Sequence, residues 1–413
     1  MTAIIRKILL SAALWSLLAN GAPYPHGECP SVRKAPVGKA IYFLTNDAEN
    51  AVVAVPIGSD GTLSYGTVTA TGGAGLSSIS GSTMMPSGPD ALLSQDALTI
   101  VGQNLFAVNA GSNTLTMMSI CESDPTILTP VGKSVSVLGE FPNTVAASAK
   151  NNLVCVGSTG AKAGISCATF SPSEGLSEMD FLRPFDLGQS TPPVGPTNTV
   201  SQTFFSEDES LLLTTVKGDP TANKTGFLSV FPVNPRCDCG PSSLSAKDTR
   251  SSPPGTAVLF GSEPIPGGSS VFVVDASFGA VILSLDEKTR KASLFSKQVI
   301  ADQMATCWAT ISPATNSAFV TDPLVNHIVE MSLTDAKIIS TVNTTMANAS
   351  SGLTDLKAAG NFIYALSPGN GTTEAEVLVL NVAGGKGSAK VIQSFGLNAL
   401  GVGKSAQGME VLM

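Results

Sequence analysis

Histidine is almost missing from this chain: His26 and His327 are the only two in 413 residues. Arginine is nearly as scarce, since beyond Arg6 only Arg33, Arg183, Arg236, Arg250 and Arg290 occur. A hydrolase built on a nucleophile and a histidine base therefore has little to draw on. The sequence also has no Gly-x-Ser-x-Gly elbow and no phosphate-cradling glycine loop. The run TGGAGLSS from Thr71 lacks a strand-to-helix setting and reads as a loop. No second close cysteine pair accompanies Cys237 and Cys239, so no zinc site is read, and no cofactor is expected. Sustained helical periodicity with caps is missing beyond the first residues.

Those first residues, MTAIIRKILLSAALWSLLANGAP, place Arg6 and Lys7 ahead of an apolar segment from Ile8 to Ala19. This predicts a secretory leader over 1–21, cleaved near Gly21, because the segment is too short to span a bilayer. No later run is long enough to span either, and SAQGMEVLM lacks a lipid-anchor tail. Loss of Arg6 and Lys7 would make the formal charge of −8 two units more negative. Such acidity disfavours nucleic acid and anionic lipid as partners. Four Asn-x-Ser/Thr sequons, at Asn223, Asn343, Asn348 and Asn370, all read as loops of a secreted eukaryotic glycoprotein. The expected location is extracellular or in the cell wall, and the expected state a monomer.

Seven cysteines in such a compartment imply up to three disulfides. Cys155 and Cys167 lie symmetrically about one hairpin, where opposed strand positions come close enough to bond. Cys237 or Cys239 is expected to reach Cys307; the partners of Cys29 and Cys121 stay open.

What the chain does have is a repeat. Seven times a short apolar run breaks at a small polar turn and resumes, opening at Ala40, Asn104, Asn152, Leu211, Ser270, Ser317 and Asn361. The period of roughly 45 to 65 residues is that of a propeller or another array. In four copies Asn46, Asn109, Asp275 and Asp322 end the first run. Asn50, Asn113, Gly279 and Asn326 follow four places on, and Val52, Leu115, Val281 and Ile328 two further. Asn, Asp and Gly suit tight antiparallel turns, so their first reading is structural.

The expectation is an all-β chain: a seven-bladed β-propeller of four-stranded antiparallel blades over 40–413, after an extended, Pro-containing arm over 22–39. Inner strands are expected after PDALLSQDALTI, FPNTVAASA, PTNTVSQTFF, CWATISP and GLTDLKAAG, with a less regular one in GTAVLFGSEP. The hairpin at Ala40 has no inner strand before it, and SAQGMEVLM looks like an inner strand with no hairpin after it. The two should complete one blade and close the ring.

The words NAGSNTLTMMSI, DPTILTPVG, SQTFFSEDESLLLTTVKG and ISPATNSAFVTD resemble the lactonase-type seven-bladed propellers, which include 6-phosphogluconolactonase-like proteins and fungal 3-carboxymuconate cyclases. The leader, GKAIYFLTNDAENAVVAVPIGSDGTLS and FPNTVAASAKNNLVCVGSTG look most similar to secreted fungal glycoproteins that carry the cyclase name. The resemblance covers roughly Gly38 to the terminus and implies a cycloisomerase or lactonase acting at the channel mouth. Cyclases of this family use a His with neighbouring Arg and Glu. The matching inner-strand starts here carry Asp90, Asn143, Asn198, Trp308 and Asp355, none of them His.

Catalytic candidates are thus Asp90 and Asp355 as acid and base, Lys217 and Arg183 as channel-facing cations, and His327 at the start of an outer strand. Asn143, Asn198, Trp308, Asp275 and Asp322 are the substrate-binding candidates. Each also has a plainer reading, as a turn cap or a solvated loop charge. The sequence therefore supports two functions. One is an isomerase or lactonase on a small organic acid or lactone. The other is a non-catalytic extracellular glycoprotein that binds matrix or cell-wall components as an adhesin.

Overall fold

Most strands of this chain are apolar along their whole length, and the architecture explains why. AVVAVP over Ala51–Pro56 and LVCVGS over Leu153–Ser158 are buried at nearly every position. Each lies in a sheet sandwiched between two neighbouring sheets, so both faces must be apolar. Outer strands such as Ala292–Val299 and Lys390–Gly396 instead alternate between partly buried and exposed residues. They have one face towards water.

The computed structural model describes residues 37–237, 240–344 and 352–413. The leader, nearly all of the amino-terminal arm, His26, Cys29, Arg33, Cys239 and Asn348 lie outside the described residues. Residues 35–413 form one unit. It is a ring of seven antiparallel sheets, the expected propeller. Blade 1 contains strands Ala40–Leu44, Ala51–Pro56 and Thr67–Ala70. Blades 2 to 7 have their inner strands at Leu98–Val101, Pro142–Ser148, Val200–Phe205, Leu259–Pro264, Trp308–Ser312 and Leu356–Ala359. In blades 2 to 4 the outer edge is split into two short strands.

The ring closes as the sequence suggests. Gln407–Leu412 supplies the inner strand of blade 1, pairing Ala40 with Leu412 and Tyr42 with Glu410. The Lys39 amide adds a bond to the Leu412 carbonyl at 2.7 Å. This gives blade 1 its fourth strand, like the other blades.

One face of the ring, the upper face, carries the inner-strand starts and the turns between second and third strands. Asp275 and Asp322 sit there, both buried. Asp275 accepts the Ala257 and Val258 amides at 2.7 and 3.0 Å, and Asp322 accepts those of Met304 and Ala305, both at 2.7 Å. Each carboxylate thus ties a hairpin to the lead-in of its own inner strand. Asn109 does related work, accepting from Asn50 at 2.9 Å and Thr71 at 2.6 Å. The repeated register is a fastening device, and in Asp275 and Asp322 both carboxylates are taken up by backbone amides.

Cys155 and Cys167 are directly opposed and disulfide-bonded. The expected bridge to Cys307 is not formed: Cys307 is a buried free thiol, and Cys237 is bonded elsewhere. Asn223 and Asn370 lie on exposed turns, but Asn343 ends the strand Ile338–Asn343 instead of lying in a loop.

Candidate active site on the propeller axis

The upper end of the axis is not an open mouth. Residues 90–97, expected to lead straight into an inner strand, leave the sheet and run along the axis; pairing starts only at Leu98. Residues 91–97 are all buried. Two of them, Leu93 and Asp96, adopt left-handed backbone at φ 59°, which a strand would not permit.

Most inner strands hold this plug. From blade 1, Gln407 accepts the Leu92 amide at 2.7 Å and donates to the Ser94 carbonyl at 2.9 Å and to Asp90 at 2.7 Å. Blade 3 contributes Asn143, which donates to the Leu92 carbonyl, and the Val145 amide, which donates to the Asp96 carbonyl at 2.8 Å. Blade 4 offers the Ser201 carbonyl to the Gln95 amide at 2.9 Å. On blade 6 the Trp308 indole donates to the Ser94 carbonyl, and Ala309 exchanges two bonds with the Gln95 side chain, all at 3.0 Å. Close approach decides two glycines. A Cβ on Gly261 would stand 2.2 Å from Gln95 Oε1, and one on Gly195 would stand 2.3 Å from Leu93 Cδ1.

The plug absorbs several candidates. Asn143 and Trp308 anchor it, and Trp308 also packs edge-on against Phe260 with centroids 5.1 Å apart. Lys217, 2% exposed, donates to the Leu93 carbonyl at 2.7 Å and lies 4.1 Å from the Phe260 ring centroid. Burial pulls its amine down to about 8, with Asp90 partly opposing. Burial likewise raises Asp90, and it raises the Cys307 thiol. This upper group is buried: residues 91–97 and Lys217 are all shielded from solvent.

Beneath the plug a second group forms. Lys357 of blade 7 lies 2.9 Å from Asp96 of the plug, 3.3 Å from Glu410 of blade 1 and 3.8 Å from Glu263 of blade 5. Asp96 also accepts from Gln202 of blade 4 at 2.6 Å. The side chains keep some solvent contact, from 12% for Lys357 to 24% for Glu263.

The electrostatics here are unusual. Burial pushes Glu263 up to about 7 despite Lys357, because Asp96 and Glu410 add like charge. Burial raises Glu410 as well. Asp355, which is fully buried and accepts the Leu356 and Met409 amides, is held well above the usual carboxylate range by burial and then by Asp96. For Lys357 burial disfavours the charge, but the surrounding carboxylates outweigh it and hold the ammonium above its ordinary value. A base near neutrality beside a fixed cation is a usable catalytic pair.

Two expected cations are elsewhere. Arg183 lies on the outer edge of blade 3, clamped by Asp180 at 2.7 and 3.1 Å and by the carbonyls of Phe181, Leu244 and Ser245. It does not face the channel, because these acceptors draw the guanidinium into the seam with blade 4. His327 sits on the third strand of blade 6 opposite Asn343, likewise away from the axis. Asn198 turns outward, donating to the Leu187 carbonyl at 2.9 Å.

The residues missed, Asp96, Gln202, Glu263, Lys357 and Glu410, carried a signal. Glu263, Lys357 and Glu410 are each the sole charged residue of an otherwise uncharged inner strand: LFGSEP, LKAA and QGMEVL. Among the described residues no group of three or more His, Cys, Asp or Glu is arranged to hold a metal ion.

This arrangement defines a seven-bladed β-propeller with a filled axis. Among solved structures, the periplasmic gluconolactonase PpgL of Pseudomonas aeruginosa superposes with a TM-score of 0.61 at 12% identity, covering 90% of this chain and 99% of that one. A provisional 6-phosphogluconolactonase of Bacteroides fragilis gives 0.61 at 10% identity, over 93% and 100%. A hypothetical selenium-binding protein of Sulfolobus tokodaii reaches 0.57 at 10% identity, over 92% and 94%. The likeness is therefore one of fold, shared by proteins with different descriptions. No protein-family model matches the chain, and no curated protein does.

Proposed function

We propose that the protein opens lactones at the lower axial group, with Glu263 as general base and Lys357 as the cation for the developing oxyanion. The carrying observation is Lys357 within 2.9–3.8 Å of three carboxylates, one of which titrates near neutrality. Unprotonated Glu263 would take a proton from water as its oxygen bonds to the ester carbonyl carbon, and the ammonium would stabilise the oxyanion. Collapse of the tetrahedral intermediate would break the ring C–O bond as protonated Glu263 returns the proton to the departing alkoxide. Asp96 and Gln202 position Lys357.

The same group argues about substrate. Asp96, Glu263, Glu410 and Asp355 surround one ammonium, so the site favours an uncharged ring over a carboxylated or phosphorylated one. This narrows the reading drawn from the cyclase-like sequence words, in which a carboxymuconate is the substrate. The test is turnover of glucono-1,5-lactone alongside 3-carboxymuconate, with purified protein. Lactone opening that falls at least about 100-fold in Glu263→Gln supports the assignment. Absence of turnover, or full turnover in both Glu263→Gln and Lys357→Met, overturns it.

A second reading has its own support. The filled upper end and the exposed sequon residues Asn223, Asn343 and Asn370 fit a secreted, glycosylated, non-catalytic binding protein. Saturable binding of glycosylated material to matrix or cell-wall preparations, with no lactone turnover, would favour it.

A further inference from the structure

We infer a second binding site on the lower face, in the cleft between blades 4 and 5, for a small amphipathic cation. The cleft encloses about 680 Å³, within the range typical of small-ligand sites. It stands apart from the axial group, although Pro264, next to Glu263 in sequence, forms part of its inner end.

Its floor is apolar. Leu211 and Leu213 come from the second strand of blade 4, and Val271 and Leu285 from the second and third strands of blade 5. These residues seal the seam between the blades and line the cleft, with Leu213, Val271 and Leu285 buried and Leu211 partly exposed. A ligand with a hydrocarbon or aromatic body would cover the exposed part of Leu211 and the edges of the others, and gain by removing that apolar surface from water.

The rim fixes the charge of that ligand. Glu207 and Asp208 stand on the blade 4 side, Asp286 and Glu287 on the blade 5 side, and Arg290 is the single cation among the lining residues. The carboxylates are held in place. Glu207 accepts the Gly267 amide at 2.8 Å, which fastens the two blades together across the inner end. Asp208 accepts the hydroxyls of Ser206 and Ser210, which keep it below the usual carboxylate range. Asp286 is held low by the Thr289 amide and hydroxyl. Three anchored carboxylates plus Glu287 stand around the apolar floor against two cations, Arg290 in the lining and Lys150, which donates to the Asp208 carbonyl at 3.0 Å, so the rim stays net negative. An ammonium-bearing ligand matches both surfaces, whereas an anion of the same shape would be repelled.

The test is isothermal titration of the full protein with 4-phenylbutylammonium, using 4-phenylbutyrate as the probe of opposite charge and equal body. The ammonium should bind at least about tenfold more tightly, with affinity falling as salt is raised. Glu287→Lys, on an exposed turn, should weaken ammonium binding several-fold. Because a turn variant could misfold, its unfolding midpoint is measured in parallel, and Glu207→Gln serves as a second variant. Leu285 and Val271 should show the largest methyl shifts on ligand addition. Equal binding of the two probes, no binding of either, or ammonium affinity unchanged in both variants overturns the proposal. Lactone turnover is read separately, so the two assignments stand or fall independently.

Discussion

Lys357 and Asp96, 261 positions apart, meet at 2.9 Å on the propeller axis and join blade 7 to the plug. Asp96 can be there only because residues 90–97 leave the sheet, and Lys357 only because its strand carries one charge among apolar neighbours. The axial group is therefore made by the plug and the ring together.

Lys357→Met would leave Asp96, Glu263 and Glu410 facing an apolar tip. Residual solvent contact softens the loss, so a destabilisation of about 2–3 kcal/mol is expected at pH 7. At pH 5, where Glu263 is protonated, the cost should shrink. Urea unfolding at the two pH values checks both statements.

Glu263 titrates near 7 in the folded protein and at roughly 4.3 when unfolded. Between these values the folded chain binds more protons, so its contribution is fully present below about 4.3 and is lost as pH rises towards 7. Glu263→Gln should flatten the unfolding midpoint over that window. If Glu263 is the base, kcat/KM of the parent protein should climb through about pH 7, since the deprotonated form is required.

Lys217 behaves in the opposite sense. Its folded value near 8 lies below the unfolded value of about 10.4. Across that interval the unfolded chain binds more protons, and stability should rise with pH. Lys217→Met should abolish the rise, as measured by thermal unfolding between pH 7.5 and pH 10 (about two and a half units).

Removing the Cys155–Cys167 disulfide should cost about 2–3 kcal/mol. The chain-entropy expectation for a closed loop this short is an upper figure here, because the strand register already opposes the two residues. Cys155→Ala with Cys167→Ala, compared with the parent by chemical denaturation, gives the value.

Deleting 405–413 should lower the thermal midpoint sharply and, if the axial group opens lactones, abolish that turnover. It removes the inner strand of blade 1, the Gln407 seat of the plug and Glu410 together. An unchanged midpoint would contradict the ring closure.

The ring itself was legible because blades are local: each hairpin shows its burial in an apolar run, and the unmatched ends at Ala40 and Met413 announce their pairing. Cys155 and Cys167 were legible for the same reason. The plug was not, since ALLSQDALTI is apolar enough to read as a strand. Its departure depends on distant space, such as that made by Gly261. Asp90, Asn143 and Trp308 do lie near the axis, where Asn143 and Trp308 donate to backbone carbonyls and Asp90 accepts from Gln407. Arg183 was misplaced because nothing local reveals that Asp180 and two carbonyls of blade 4 would claim it.

The clasp between Gln407–Leu412 and Ala40–Leu44 also sets an order of events during synthesis. Until the ribosome has delivered Glu410, blade 1 lacks its innermost strand and Lys357 lacks one of its counter-charges. A nascent chain can therefore stack six sheets while the charges on the axis stay unbalanced, and Gln407–Leu412 completes both at once.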